Sequence, residues 1–503
     1  MNTTDSKVLK ILIIGAGFAG LGLAVRLLQS GQRDWLILEQ GEDIGGTWRV
    51  NHYPGAACDV PSHLYSFSFA ANPNWSHKFA RQEEIFSYQQ HLVQQYSLRQ
   101  YIRFNCTVES AEFDEENALW RVRNSEAEPF FAKVLVTASG QLSRPKLPDL
   151  KGLEDFVGAA FHTACWRRDV TLKGKRVAVI GSGASAVQLV PQIAPQVAKL
   201  VLFQRSAPYV LPKPDRRYRP WEQALWRHVP FSQTLVRWLH YVEHEARVPA
   251  FSHLPALMKV PQWQFRRYLA KQVANPELRQ KLTPNYPMGC KRILLANDYY
   301  PALQRENVEV IDTPIAKVCS EGIYLQDGRL FAADLLIFAT GFAATNFLAP
   351  MRIIGRGGVV LNECWKHNAK AYLGLTVSGF PNLFTLLGPN TALGHSSMLY
   401  MMESQYNYLL DALKHMQQQG LQTLEVKAQP MHAFNQKLAQ RLRDTVWGQG
   451  CHSWYKTEDG TNPTIWPGFT FSYRWLTRRF NAQDFVLEGP HSGQVFRSIT
   501  RLG

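Results

Sequence analysis

The 503-residue chain carries 55 Lys+Arg against 40 Asp+Glu, a formal charge of +15 at pH 7, with 46% hydrophobic and 19% charged residues. That balance excludes a disordered or fibrous chain, and the length suits about three domains at ~100–200 residues each. No stretch approaches the roughly 18 uncharged apolar residues of a membrane-spanning helix, so an integral membrane protein is not expected. The polar run Met1 to Lys10 reads as lacking a secretory h-region. Seven scattered cysteines (Cys58, Cys106, Cys165, Cys290, Cys319, Cys364, Cys451) form no CxxC pair. They argue against a disulfide framework and a structural zinc site, so no metal is expected, and for a reducing, cytoplasmic setting.

In chain order, Lys10 to Ile14 is a predicted strand, followed at once by Gly15-Ala16-Gly17-Phe18-Ala19-Gly20 and a predicted helix from Leu21 to Leu28, closed by Gly31. A second strand, Asp34 to Leu38, ends at Glu39. Gly15 makes the tight turn, Gly17 lets the backbone approach a pyrophosphate, and Gly20 lets helix pack on strand. The phosphates then meet the positive end of the helix. The pattern recurs with strand Arg176 to Ile180, the turn Gly181-Ser182-Gly183-Ala184-Ser185-Ala186, helix Val187 to Ile193 and strand Leu200 to Phe203, which runs into Gln204-Arg205. Gly181, Gly183 and Ser185 are the phosphate-side candidates of this second unit.

Glu39 and Arg205 each lie 24 residues after the first glycine of their unit. An acid there suits ribose hydroxyls and an arginine suits a 2′-phosphate, so the first unit is expected to hold FAD and the second NADPH. A solvated strand-end charge is the alternative for Arg205. Val134 to Gly140 and Leu335 to Phe342 read as the returning strands. The expected fold is α/β, with two Rossmann-like dinucleotide-binding domains and the second inserted in the first. The expected boundaries are 1–140 and 375–503 for the FAD unit, 174–207 and 286–345 for the NADP unit, 208–285 for a helical insert, and 141–173 and 346–374 for connectors able to act as hinges.

Two such sites imply hydride transfer from nicotinamide to flavin, and without a redox cysteine pair oxygen is the expected electron acceptor. The connector reads Phe156-x-Gly158-x3-His162-x3-Trp166, which resembles the fingerprint of the type I Baeyer–Villiger monooxygenases, flavoprotein monooxygenases of class B. Arg167 stands where that family usually carries Pro or Asp. Gly45-Gly46-Thr47-Trp48-x4-Tyr53-Pro54-Gly55-x3-Asp59 looks like a second family motif. Gly289-Cys290-Lys291-Arg292 with Asn297-Asp298-Tyr299-Tyr300, then Gly388-Pro389-Asn390 and Ser453-Trp454-Tyr455, match further segments, so the resemblance spans nearly the whole chain.

The resemblance implies an NADPH- and O2-dependent enzyme that inserts one oxygen atom beside a ketone carbonyl, through a flavin peroxide, to give an ester or lactone. It implies Arg292 as the catalytic cation and Asp59 as the carboxylate that holds it. Thr47, Trp48 and Asn390 are implied around the flavin, and Lys291 beside Arg205 at the 2′-phosphate. His162 and Trp166 are implied to couple domain rotation to turnover. An N- or S-oxygenating flavin monooxygenase is the alternative, and a non-catalytic NADP-binding protein a more distant one. Leu393 to Ser397 and the tail around Trp454 are expected to shape the substrate site.

Between Arg205 and Arg292 the chain has 16 Lys+Arg and 5 Asp+Glu. Apolar residues spaced as Trp221, Leu225, Val229 and Leu235, Trp238, Leu239, Val242 predict amphipathic helices. The leading expectation is a helical subdomain packed on the NADP unit, with a solvated basic face. A weak peripheral membrane contact is the second reading. Nucleic acid is not expected as a partner, because no reader motif accompanies the charge.

Overall fold

Short β-branched runs become buried parallel strands, and the glycines that follow them become the turns. The computed structural model describes residues 7–125, 128–448, 450 and 453–490, so Cys451 lies outside the described residues. The chain opens with β1 (Val8–Ile14), α1 (Phe18–Gln29), β2 (Trp35–Leu38), α2 (Thr47–Val50) and α3 (Gln82–Gln95). β3 (Ile102–Arg103), β4 (Val108–Asp114), β5 (Leu119–Asn124) and β6 (Phe130–Thr137) follow. The second unit has β7 (Ala159–His162), β8 (Arg176–Ile180), α4 (Ala184–Ile193), β9 (Lys199–Phe203) and β10 (Val210–Leu211). The insert supplies α5 (Pro220–His228), α6 (Pro230–Glu245), α7 (Lys259–Gln272) and α8 (Pro276–Lys281). The chain returns through β11 (Leu294–Leu295), α9 (Tyr299–Leu303), β12 (Val308–Ile311), β13 (Ile315–Cys319), β14 (Gly322–Leu325), β15 (Leu330–Ala332) and β16 (Leu335–Phe338). β17 (Arg352–Ile354), α10 (Leu361–Cys364), β18 (Leu383–Thr385), α11 (Met398–Gln419), α12 (Ala428–Arg443) and α13 (Thr470–Leu476) complete the parts used below.

The first sheet runs β17-β4-β5-β6-β1-β2-β3, with β18 also on β6. Strands from before and after the inserted unit therefore share one sheet, and α11 lies on α1, where the Tyr406 hydroxyl donates to the carbonyl of Ala19 at 2.9 Å. The second sheet is wholly parallel, in the order β12-β9-β8-β16-β7. In each unit the returning strand pairs in parallel with the first strand, β6 on β1 and β16 on β8. β7 and β17 come from segments read as connectors, yet each adds an edge strand to a unit.

The insert departs from the leading expectation. α7 does pack on the second unit through Phe265 and Leu269, but Trp226 of α5 and Tyr241 of α6 join the core of the first. The apolar positions Trp221, Leu225, Leu235, Trp238, Leu239 and Val242 face outward. Beside Val236 and Tyr241, the buried positions of α6 include polar groups with fixed partners: Arg237 meets Glu403, and Glu245 accepts from Thr470. Among the described residues no helix is long and apolar enough to cross a membrane.

Candidate active site

The first glycine turn is shaped by close approach. Gly15 has φ +109°, and a Cβ there would lie 2.7 Å from the Ala138 carbonyl oxygen. A Cβ on Gly20 would fall 2.0 Å from the Gly15 carbonyl oxygen, so helix and turn meet only with glycine at both places. Gly17 is the N-cap of α1 and gives it no side-chain cap, so the first-turn amides keep their donors for an anion. Glu39, buried at the end of β2, accepts from the amides of Ala16 at 2.7 Å and Gly41 at 2.9 Å. Thr47 and Trp48 open α2 beside this turn, and the Trp48 indole N–H donates to the Tyr65 hydroxyl at 3.0 Å.

The second turn repeats the geometry. Gly181 has φ +110°, with the Ala339 carbonyl oxygen 2.5 Å from where a Cβ would be, while the space around Gly183 is open. Gly183 likewise leaves the first turn of α4 uncapped, and Ser185 is half-buried within that turn. Arg205 is exposed past the end of β9. The Lys291 ammonium donates to the Ser206 hydroxyl at 2.8 Å and lies over the Tyr286 ring. Burial and the neighbouring Arg205 charge lower Lys291 from its ordinary range. Two cations held together without a carboxylate between them suit a dianionic group.

Arg292 and Asp59, 233 positions apart in sequence, form a two-pronged ion pair: Nε donates to Oδ2 and Nη2 to Oδ1, each at 2.6 Å. The side chains keep 28% and 25% of their exposure, so one flank of the pair stays accessible. Burial alone would raise the Asp59 carboxyl, but the charge and hydrogen bonds of Arg292, with Lys213 behind them, hold it below the usual carboxylate range. Burial works against the Arg292 charge, and the Asp59 carboxylate outweighs it, so the guanidinium stays protonated. The third arm, Nη1, points to the Leu393 carbonyl oxygen at 3.4 Å. Cys58 is pushed up to about 12 by burial and then by Asp59, which makes it a protonated filler. Next to the pair, Phe251 and Met258 from the insert meet Leu393, Trp447 and Tyr455 in one apolar cluster.

The fingerprint residues stand along β7 and its flanks. Phe156 packs under β13–β15, and Gly158 has no room for a Cβ, which would lie 2.3 Å from the Asp334 carbonyl oxygen. His162 is buried at the end of β7, accepts at Nδ1 from the Ala164 amide at 3.0 Å and meets the Phe342 ring edge-on. Burial lowers its imidazole from the ordinary range, so it is neutral with its proton on Nε2. Trp166 stands edge-on to Phe161, and Arg167 pairs with Asp169 in the open. The Asn390 amide donates to the carbonyls of Asn462 at 2.9 Å and Ile465 at 3.1 Å, which pins the loop before α13.

The profile of the flavin-binding monooxygenase-like family matches residues 8–349. A Baeyer-Villiger monooxygenase of Pseudomonas aeruginosa is 47% identical over 95% of this chain and 91% of its own length. Another of that name from Streptomyces coelicolor is 43% identical over 97% of this chain and 94% of its own length. The chain belongs to the Baeyer–Villiger monooxygenases. A crystal structure of cyclohexanone monooxygenase from Rhodococcus sp. Phi1 bound to NADP+ matches this Baeyer–Villiger monooxygenase with a TM-score of 0.86 at 28% identity, covering 96% of this chain and 100% of that one.

Other groups of this Baeyer–Villiger monooxygenase's site had no signal in the sequence. Lys213, whose charge acts on Asp59, has its backbone clasped by Asn297, which accepts from the Lys213 amide and donates to its carbonyl, both at 2.9 Å. Gln188 on α4 bridges the two units: it accepts from the Tyr53 hydroxyl at 2.8 Å and donates to the Ala57 carbonyl at 2.9 Å. A lysine before a proline and a glutamine on a helix look like solvated side chains until the fold brings them in. Cys290 is disulfide-bonded, which counts against the reducing setting expected from the scattered cysteines; Cys58, Cys106, Cys165, Cys319 and Cys364 are free.

Proposed function

We propose that this enzyme uses FAD, NADPH and oxygen to insert one oxygen atom next to the carbonyl of a small-molecule ketone, giving an ester or lactone. The observation that carries the reading is the Arg292–Asp59 pair: a permanent cation, fixed at two points, beside an apolar cluster. The residues present fit both dinucleotides. Gly15, Gly17 and Gly20 leave a turn without side chains that would take the FAD pyrophosphate, Glu39 would hold the ribose, and Thr47 and Trp48 would flank the flavin. Gly181, Gly183 and Ser185 would hold the second pyrophosphate, with Arg205 and Lys291 at the 2′-phosphate. When bound, the flavin accepts hydride from the nicotinamide and activates oxygen.

The remaining work falls to the chain. Arg292 offers fixed positive charge where negative charge grows on the carbonyl oxygen as oxygen adds, the electrostatic contribution that is usually largest. Asp59 sets the plane of the guanidinium and tempers its field, and Arg292 in turn, with Lys213 behind it, keeps Asp59 ionised. Phe251, Leu393 and Trp447 exclude water, with Phe251 and Trp447 stacked at 5.5 Å between ring centres. Trp166, half-buried against the second core, and neutral His162 tie the connector to the sheet that carries the nicotinamide unit.

The test is a panel of small, bulky, cyclic and aryl ketones, with NADPH consumption, oxygenated product and free hydrogen peroxide all measured. Ester or lactone formed in proportion to NADPH supports the reading. Turnover confined to amines and sulfides, or NADPH oxidation yielding hydrogen peroxide alone with every ketone, would overturn it.

A further inference from the structure

Helix α6 is built inside out. Phe231, Leu235, Trp238, Leu239 and Val242 are 42–72% exposed, and their spacing confines them to an arc of about 100°. Away from this arc, Val236 and Tyr241 pack on the first core and two charged side chains are held by fixed bonds. Arg237 donates to the carbonyl oxygens of His63 at 3.0 Å and Leu64 at 3.3 Å and to the Glu403 carboxylate at 3.3 Å, while Glu245 accepts from the Thr470 amide at 2.9 Å. Rolling the helix to hide its apolar stripe would strand these buried charges, so the outward stripe is fixed by the fold.

Elements joined to α6 expose further apolar side chains. On α5, which packs against α6, Trp221 is 60% and Leu225 41% exposed. Beyond α6, Leu254, Leu257, Val260 and Trp263 are again exposed. α13, tied to the end of α6 through Thr470, presents Phe471 and Trp475. Cations alternate with these side chains: Arg266 and Arg267 are both exposed on α7, Arg267 lies over the Trp263 ring, and Arg478 lies over the Trp475 ring. The nearby carboxylates are spent internally, Glu222 on Arg216, Glu243 on Arg247 and Glu245 on Thr470.

We propose that this outward face of the insert docks the enzyme on an anionic lipid bilayer. Tryptophan and leucine enter the headgroup boundary while the arginines and lysines meet lipid phosphates. A second copy of the chain fits less well, because a twofold contact would bring two strongly basic segments face to face. Docking here also has a use. The residues after α6 turn Phe251 and Met258 inward to the apolar cluster beside Arg292, so the element that meets the lipid also walls the region assigned above to the substrate.

The experiment is co-sedimentation of the flavin-loaded enzyme with phosphatidylglycerol-containing vesicles and with pure phosphatidylcholine vesicles, at low and high salt, alongside light scattering of the free enzyme. The wild type should pellet with anionic vesicles at low salt, and binding should fall about tenfold or more with W238S/L239S and with R266E/R267E. NADPH turnover with a soluble ketone should hold in both variants, which shows that they fold. Absence of sedimentation with anionic vesicles, or equal sedimentation of wild type and W238S/L239S, overturns the proposal. A concentration-dependent dimer that W238S/L239S abolishes, without vesicle binding, gives this face to a second copy and overturns it as well.

Discussion

Removing the guanidinium of Arg292 separates its chemical role from its structural one. Arg292→Ala deletes two charge-assisted bonds of 2.6 Å and leaves Lys213 as the cation acting on Asp59. Such bonds contribute about 1.5–3 kcal/mol when fully buried. With the side chains 28% and 25% exposed, solvent reduces the loss of stability to about 1–2 kcal/mol. Loss of a fixed donor at a developing oxyanion costs far more in rate, about 100- to 1,000-fold. Chromatographic measurement of ester formed per NADPH, together with a thermal melt, should therefore show a folded protein with its oxygenation almost gone. Arg292→Lys keeps the charge without the fork and should fall between. The pH dependence supplies a second check. Asp59 is held below its ordinary range, so the pair's stabilisation is present above that range and is lost as pH falls through the depressed value. The stability gap between wild type and Arg292→Ala should accordingly close in acid. Ester formation by Arg292→Ala within about twofold of wild type would refute the reasoning.

Arg205→Ala and Lys291→Ala should each raise the KM for NADPH by about 10- to 100-fold and leave that for NADH nearly unchanged, the effect of one lost bond to a phosphate; equal rises for both cofactors would remove these residues from the 2′-phosphate. Two buried histidines should set the acid limb of stability. Burial, then the charges of His240 and Arg237, lower His63 from 6.5 to about 3, and burial, then Arg247, lowers His244 to about 4. Their folded values lie below the unfolded one, so stability is complete above 6.5 and declines as pH falls toward the folded values, by about 1 kcal/mol per pH unit for each group. Between pH above 7 and pH 5 the urea midpoint of wild type should fall further than that of His244→Gln, and parallel curves would contradict this. Gly158→Ala places a methyl 2.3 Å from the Asp334 carbonyl oxygen. It should cost about 1–3 kcal/mol and lower the melting temperature, and an unchanged melt would show that β7 gives way freely.

The two glycine turns, the helices behind them and the terminal Glu39 and Arg205 were legible because each unit is written in about thirty consecutive residues, where hydrophobic period and glycine position leave little choice. Arg292 and Asp59 were legible only through the motifs around them. Their pairing joins residues 233 positions apart and exists only because the inserted unit folds back on the first. Lys213 and Gln188 carried no local mark. The insert shows where periodicity stops: it defined an apolar arc on α6 but not which way that arc would face. Arg237 decided that by reaching Glu403, 166 positions further on. A buried charge accepts few partners, whereas an apolar stripe can rest against any apolar surface, so tertiary structure placed the charge first and left the stripe outside.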